Sequence, residues 1–121
     1  MLKQEGYDLI GAAFEVYNEL GSGLLEEIYQ QALEIELELR NIPYESKKKL
    51  SVYYKTRQLD KVYIPDLFVF DTIMVELKAC KILNDEHRAQ LINYMKITNT
   101  NVGYLVNFGA NKELEWERFI I

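Results

Sequence analysis

Asp66 follows Pro65, Glu76 stands ten residues further along, and Lys78 lies two beyond it. The runs on either side, Val62 to Phe70 and Ile73 to Cys80, are rich in β-branched and aromatic residues and break at Asp71-Thr72, the pattern of a hairpin. Alternation along a strand puts Glu76 and Lys78 on one face and Leu77 on the other. With an odd number of loop residues Asp66 lies opposite Lys78 on that face, and Glu76 is its diagonal neighbour at roughly 7–8 Å by backbone. Two carboxylates that close repel unless a proton or a cation sits between them. A hard divalent cation, Mg²⁺ or Mn²⁺, suits them because it takes oxygen ligands and keeps waters. The backbone carbonyl of Leu77 is a further candidate ligand. The Lys78 ammonium can orient an attacking water and stabilise charge developing on a phosphoryl group. Such a set is what metal-dependent phosphodiester hydrolysis requires. The bland alternative is a solvent-facing strand on which Glu and Lys merely alternate. Against it, the flanking residues are apolar, and charges in a buried strand need partners.

Helical segments offer completing groups. Glu26 and Tyr29 are three apart, so both lie on one helical face, and Glu26 is a candidate third carboxylate. Gln90 and Tyr94 are four apart with His87 one turn earlier, placing them to hold a phosphate or the lysine by hydrogen bonds. Ordinary roles compete: a glutamate near a helix start is favoured by the helix dipole, and buried tyrosines are usually core with a satisfied hydroxyl. His87, the only histidine, reads as a cap-region residue, and Cys80 as a small buried hydrophobe.

The elements that must position these groups are legible in outline. Leu9, Ile10, Ala13, Phe14, Val16, Tyr17 and Leu20 recur at helical spacing, predicting a helix over residues 3–20 that Gly21-Ser22-Gly23 stops. A second helix runs from Leu24 to about Arg40, with Ser22 available as N-cap and Asn41 and Pro43 ending it. From Leu50 the period becomes two, giving a strand to Tyr54 and another over Leu59–Tyr63, then the hairpin. Asn84 or Asp85 caps a third helix, and residues 102–108 and 114–120 read as closing strands. That order is an α+β or α/β sandwich on a mixed sheet.

Composition bounds the function. At 121 residues and 49% hydrophobic, the chain is expected to be one domain, residues 1–121, with enough apolar mass for a core. One cysteine excludes an internal disulfide and a multi-cysteine zinc site. No apolar run of membrane-spanning length and no signal-like N-terminus is visible, so a cytoplasmic protein without membrane association is expected. A net charge of −5 lacks the basic character common in nucleic-acid binders, but it is uneven. Residues 1–46 hold ten acids and two bases; Lys47, Lys48, Lys49, Lys55, Arg57 and Lys61 cluster with only Asp60 among them. That patch suits a phosphate backbone, although lysines also guard ordinary strand edges.

Taken in order, Gly23-x-x-Glu26-x-x-Tyr29, Pro65-Asp66, Glu76-Leu77-Lys78 and Gln90-x-x-x-Tyr94 resemble the GxxExxY proteins of the PD-(D/E)XK nuclease-like superfamily. The likeness extends from about Ile10 to Ile120 and includes Leu20-Gly21, Ala89-Gln90-Leu91 and Val106-Asn107-Phe108. Many such relatives carry histidine, proline and glutamate where this chain has Tyr17, Ser22 and Arg88. The resemblance implies a restriction-endonuclease-like fold, a central mixed β-sheet flanked by helices (αβββαβ). It also implies that Asp66, Glu76 and Glu26 bind metal, that Lys78 is the catalytic lysine, and that Gln90 and Tyr94 assist. The expected activity is hydrolysis of DNA, or else RNA; the rival is an inactive module that binds nucleic acid or protein, or a purely structural subunit. Cutting both strands commonly needs two sites, so a homodimer is expected by analogy.

Overall fold

A computed structural model describes residues 1–121. The apolar spacing of the first forty residues produces two helices, α1 (Lys3–Leu20) and α2 (Glu26–Leu39). Five strands follow: β1 (Tyr44–Ser46), β2 (Leu50–Tyr54), β3 (Arg57–Tyr63), β4 (Leu67–Val69) and β5 (Ile73–Lys78). Helix α3 (Asp85–Ile97), β6 (Val102–Asn107) and β7 (Glu115–Ile120) complete the chain. One mixed sheet has the order β1-β4-β5-β6-β7, with β5 and β6 parallel and the other neighbours antiparallel. Strands β2 and β3 do not join it; they form a separate antiparallel hairpin. The architecture is the expected restriction-endonuclease-like α+β fold with helices on both faces of a mixed sheet.

Alternation along β5 divides the interior. Ile73, Val75 and Leu77 belong to a twenty-residue core under α1 and α2, whereas Met74 joins a six-residue cluster with Leu91 and Met95 of α3. In α2 the burial runs through Tyr29, Leu33 and Leu37, while Ile35 and Leu39 stay exposed. Ser22 is not the cap of α2. The N-cap is Leu25, with no side-chain cap bond, because the preceding turn is held otherwise. Gly21 and Gly23 take positive φ, and the buried Tyr29 hydroxyl donates to the Gly21 carbonyl at 2.5 Å and accepts from Leu24 N–H at 3.1 Å. The turn is thus fixed by the helix's own tyrosine, and Glu26 becomes its first residue.

Asn84 does cap α3, and His87 completes a capping box, so the lone histidine has a structural role. Arg88 ties this helix to β7 through a forked contact with Glu117 at 2.8 Å. No helix is long and apolar enough to cross a membrane.

Candidate active site

Three residues, Phe70 to Thr72, separate β4 from β5, and Phe70 and Asp71 adopt positive φ. Pairing therefore starts at Val69 and Ile73 and continues to Leu67 opposite Val75. Extending that register one step sets Asp66 opposite Glu76, not opposite Lys78 as the spacing alone suggested. The loop is odd-numbered as expected, but it is centred on Asp71 and not on Thr72, so Glu76 becomes the partner of Asp66 and Lys78 its diagonal neighbour. The Asp66 carboxylate reaches across the end of β4: Oδ2 accepts from Leu77 N–H at 2.8 Å, and Oδ1 lies 3.2 Å from Lys47 Nζ. Within a strand, N–H and C=O of one residue point to the same edge, so the Leu77 carbonyl also faces the Asp66 side, beyond the last β4 pairing.

Glu76 is the electrostatic centre. Burial, then the neighbouring Asp66 charge, push its carboxyl up to about 8; a hydrogen bond from Tyr63 and the charge of Lys78 offset part of that rise. Tyr63 Oη donates to Glu76 Oε1 at 2.5 Å, and its ring stacks on Tyr94 with centroids 3.6 Å apart. That environment and the Glu76 charge hold the Tyr63 phenol well above its usual range. The hairpin is thereby linked both to the β5 carboxylate and to α3. Tyr63 is the site residue that sequence reasoning missed. Its signal was its place in the pattern, as the last residue of a strand just before Pro65-Asp66.

Glu26 sits on the exposed first turn of α2. Partial burial of its carboxyl and the charge of Asp66 raise its pKa, while Lys78 and Lys47 act oppositely, so its field overlaps the site. Tyr29 does not accompany it outward, being fully buried and stacked on Phe108 at 4.7 Å. Lys78 ends β5 at the carboxyl edge of a β–α–β crossover, where open sheets of this kind accept ligands. It borders a cavity of about 830 Å³ whose other wall is α3, with His87, Gln90 and Tyr94 all lining it. The single helical face predicted for those three is therefore present.

Asn107 braces this end of the sheet. It is fully buried and opposite Lys78; its Oδ1 accepts from Cys80 and Gly109 N–H, and its Nδ2 donates to the Cys80 carbonyl and to Glu115. Those bonds tether the segment leaving β5. A Cβ on Gly109 would come within 2.3–2.6 Å of Ala79-Cys80 backbone, so only glycine permits that approach.

The basic patch divides. Lys47 leaves it for Asp66, and Lys48 pairs with Glu45 and Asp71 at 2.9 and 3.1 Å. Lys49, Lys55, Arg57 and Lys61 are exposed and make no ion pair; the last three belong to the hairpin. Local folding explains the split, since Lys47 takes positive φ between β1 and β2 and its N–H donates to the Asp66 carbonyl.

A family model for the PD-(D/E)XK nuclease superfamily matches residues 3–119. The chain belongs to the PD-(D/E)XK nuclease superfamily. Among solved structures, "Crystal structure of SSO0001" matches with a TM-score of 0.54 at 14% identity, over 78% of this chain and 48% of that one. At that identity the likeness concerns the fold, and the chain spans about half the length of that relative. No curated protein matches the sequence.

Nucleases of this superfamily generally use divalent metals, and the donor set here can be tested against one. Asp66 and Glu76 supply hard oxygen donors, and their mutual repulsion, visible in the raised Glu76 pKa, is the charge imbalance a dication would relieve. No group of three or more His, Cys, Asp and Glu side chains stands ready-made, and Lys47 competes for Asp66. The fit is that of a two-carboxylate site for an ion that retains several waters.

Proposed function

We propose that this PD-(D/E)XK protein is a metal-dependent nuclease hydrolysing phosphodiester bonds, with DNA favoured over RNA as substrate. The carrying observation is the half-buried Asp66–Glu76 pair, with Lys78 on the same face of β5 as Glu76 and itself lining the cavity along α3. Asp66 and Glu76 hold Mg²⁺ or Mn²⁺, with the Leu77 carbonyl and, at the margin, Glu26 as further donors. The bound ion supplies Lewis-acid activation of the phosphoryl group and of water. Lys78 orients the attacking water and stabilises the charge that develops on the phosphoryl oxygens. Gln90 and Tyr94, on the cavity wall, bind the scissile phosphate or steady the lysine. Tyr63 orients Glu76. Lys49, Lys55, Arg57 and Lys61 contact backbone phosphates, with Lys47 and Lys48 joining once substrate displaces their carboxylate partners. The narrower kinship with GxxExxY proteins, action as a homodimer and a cytoplasmic location belong to this same reading.

The test is cleavage of labelled single-stranded, duplex and branched DNA, and of RNA, with Mg²⁺ or Mn²⁺, beside Glu76→Ala and Lys78→Ala. Metal-dependent cleavage lost in both variants supports the assignment. Activity that persists in both variants identifies a contaminant and removes it. A second reading, a nucleic-acid-binding module without turnover, is favoured by the Lys47–Asp66 ion pair, which occupies a carboxylate that a metal would need. Salt-dependent binding without cleavage at any metal concentration selects that reading.

A further inference from the structure

On the face of the sheet away from α3, a second cavity of about 570 Å³ lies between α1, the end of α2 and the edge strand β7. Trp116 and Arg118 pair across from Val106 and Tyr104, which belong to the core under α1 and α2, so this pocket is separate from Asp66, Glu76 and Lys78. Its volume falls within the range typical of small-molecule sites, about 300–1,000 Å³.

Its walls combine flat aromatic surface with cations and no acid. Trp116, Tyr7 and Phe14 are 41%, 77% and 37% exposed, an unusual amount of aromatic area on one groove. Gly6 lets α1 pack closely on β6 beneath this groove. A Cβ at Gly6 would collide with the Tyr104 hydroxyl, and Gly11 meets only the Arg40 guanidinium, at 3.4 Å. Of the three cations, Arg40 is neutralised by Glu36 at 2.7 Å, whereas Lys3 and Arg118 form no ion pair. Arg118 donates from Nη2 to the Met1 carbonyl, yet its Nε–H is buried without an acceptor, which is rare and costly in folded proteins.

We propose that this pocket binds a nucleoside monophosphate. The base stacks on the aromatic wall, a contact every base can make, and the phosphate lies between Arg118 and Lys3. Two uncompensated cations match the dianionic phosphate monoester better than a single carboxylate charge. Arg118 then engages the phosphate through its guanidinium, which lines the pocket. The inference is independent of the nuclease reading, since it uses none of those residues.

Trp116 is the only tryptophan, so its emission reports on this pocket alone. The full chain is titrated with adenosine and uridine 5′-monophosphates, and separately with adenosine, orthophosphate and benzoate. Saturable change is expected with both nucleotides, at concentrations at least tenfold below those needed for any of the other three. Arg118→Gln weakens nucleotide binding at least tenfold and leaves adenosine unaffected. Lys3→Gln, at the exposed start of α1, weakens it severalfold and serves if the arginine variant does not fold. Equal response to nucleotide and nucleoside, equal response to benzoate, no saturation, or indifference to the charge-removing substitutions each overturns the proposal.

Discussion

The two faces of β5 have been put to different uses by one strand of six residues. Ile73, Val75 and Leu77 are wholly buried against α1 and α2 and belong to the larger core. Met74, Glu76 and Lys78 face α3, where the apolar cluster contains six residues and stops short of the strand's carboxyl end. Packing density explains the division. A face filled to interior density has no room for charge, whereas a helix that covers only part of the opposite face leaves its margin half-dry, where a carboxylate is perturbed yet reachable. The hairpin and α3 supply that partial cover through Tyr63 and Tyr94.

The largest expected effect separates the faces outright. Lys78→Ala and Glu76→Ala should each lower cleavage by about 10²–10³-fold in a metal-containing assay, the range for loss of a transition-state charge partner, with the fold retained. On the other face, Ile73→Ala should cost about 2–5 kcal/mol in denaturant unfolding and leave cleavage by the folded fraction unchanged. If the charge-face variants also unfolded the protein, the contrast would be wrong.

Glu76 gives the contrast a pH signature. Its folded pKa, about 8, exceeds the ordinary 4.5, so between those values the native state binds more protons than the unfolded state. Stability is therefore present at low pH and lost as pH rises through that window, by on the order of 5 kcal/mol at most for the metal-free chain. Glu76→Gln should flatten this dependence and make the protein more stable than wild type at pH 8. Mg²⁺ should raise the unfolding temperature more at pH 8 than at pH 5, because the ion selects the ionised pair. Chemical unfolding across pH, with chelator and with metal, reads all three.

Smaller effects sharpen the role of the hairpin. Tyr63→Phe removes one hydrogen bond from Glu76 while keeping the stack on Tyr94, so stability should change by about 1 kcal/mol, and metal affinity, followed by calorimetry, severalfold. Replacing Lys55, Arg57 and Lys61 by alanine should leave folding intact. It should flatten the slope of binding against salt by roughly 0.7–0.9 for each phosphate contact removed. Tight, salt-steep binding by that triple variant would assign the substrate path elsewhere.

Much of this arrangement was legible in the residue pattern because it is local. Helix periodicity, the change to period two at Leu50 and the His87 cap all follow from neighbours in sequence. The register of β4 on β5 did not, because one short loop with two positive-φ residues shifts every cross-strand pair. Tyr63 was invisible as a site residue for a similar reason: a tyrosine at a strand end is common, and only the docking of the hairpin brings its hydroxyl to Glu76. Lys47 was read with its basic neighbours, yet a backbone turn sends it to Asp66 instead.

Sequence alone determined that Glu76 and Lys78 share one face of the central strand, and that α3 follows to cover it, since alternation and capping act over a few residues. Tertiary structure decided which carboxylates meet, which cations are already engaged, and how far Glu76 resists ionisation. Those are matters of burial and Coulomb interaction between segments distant along the chain, and they exist only once the chain has closed on itself.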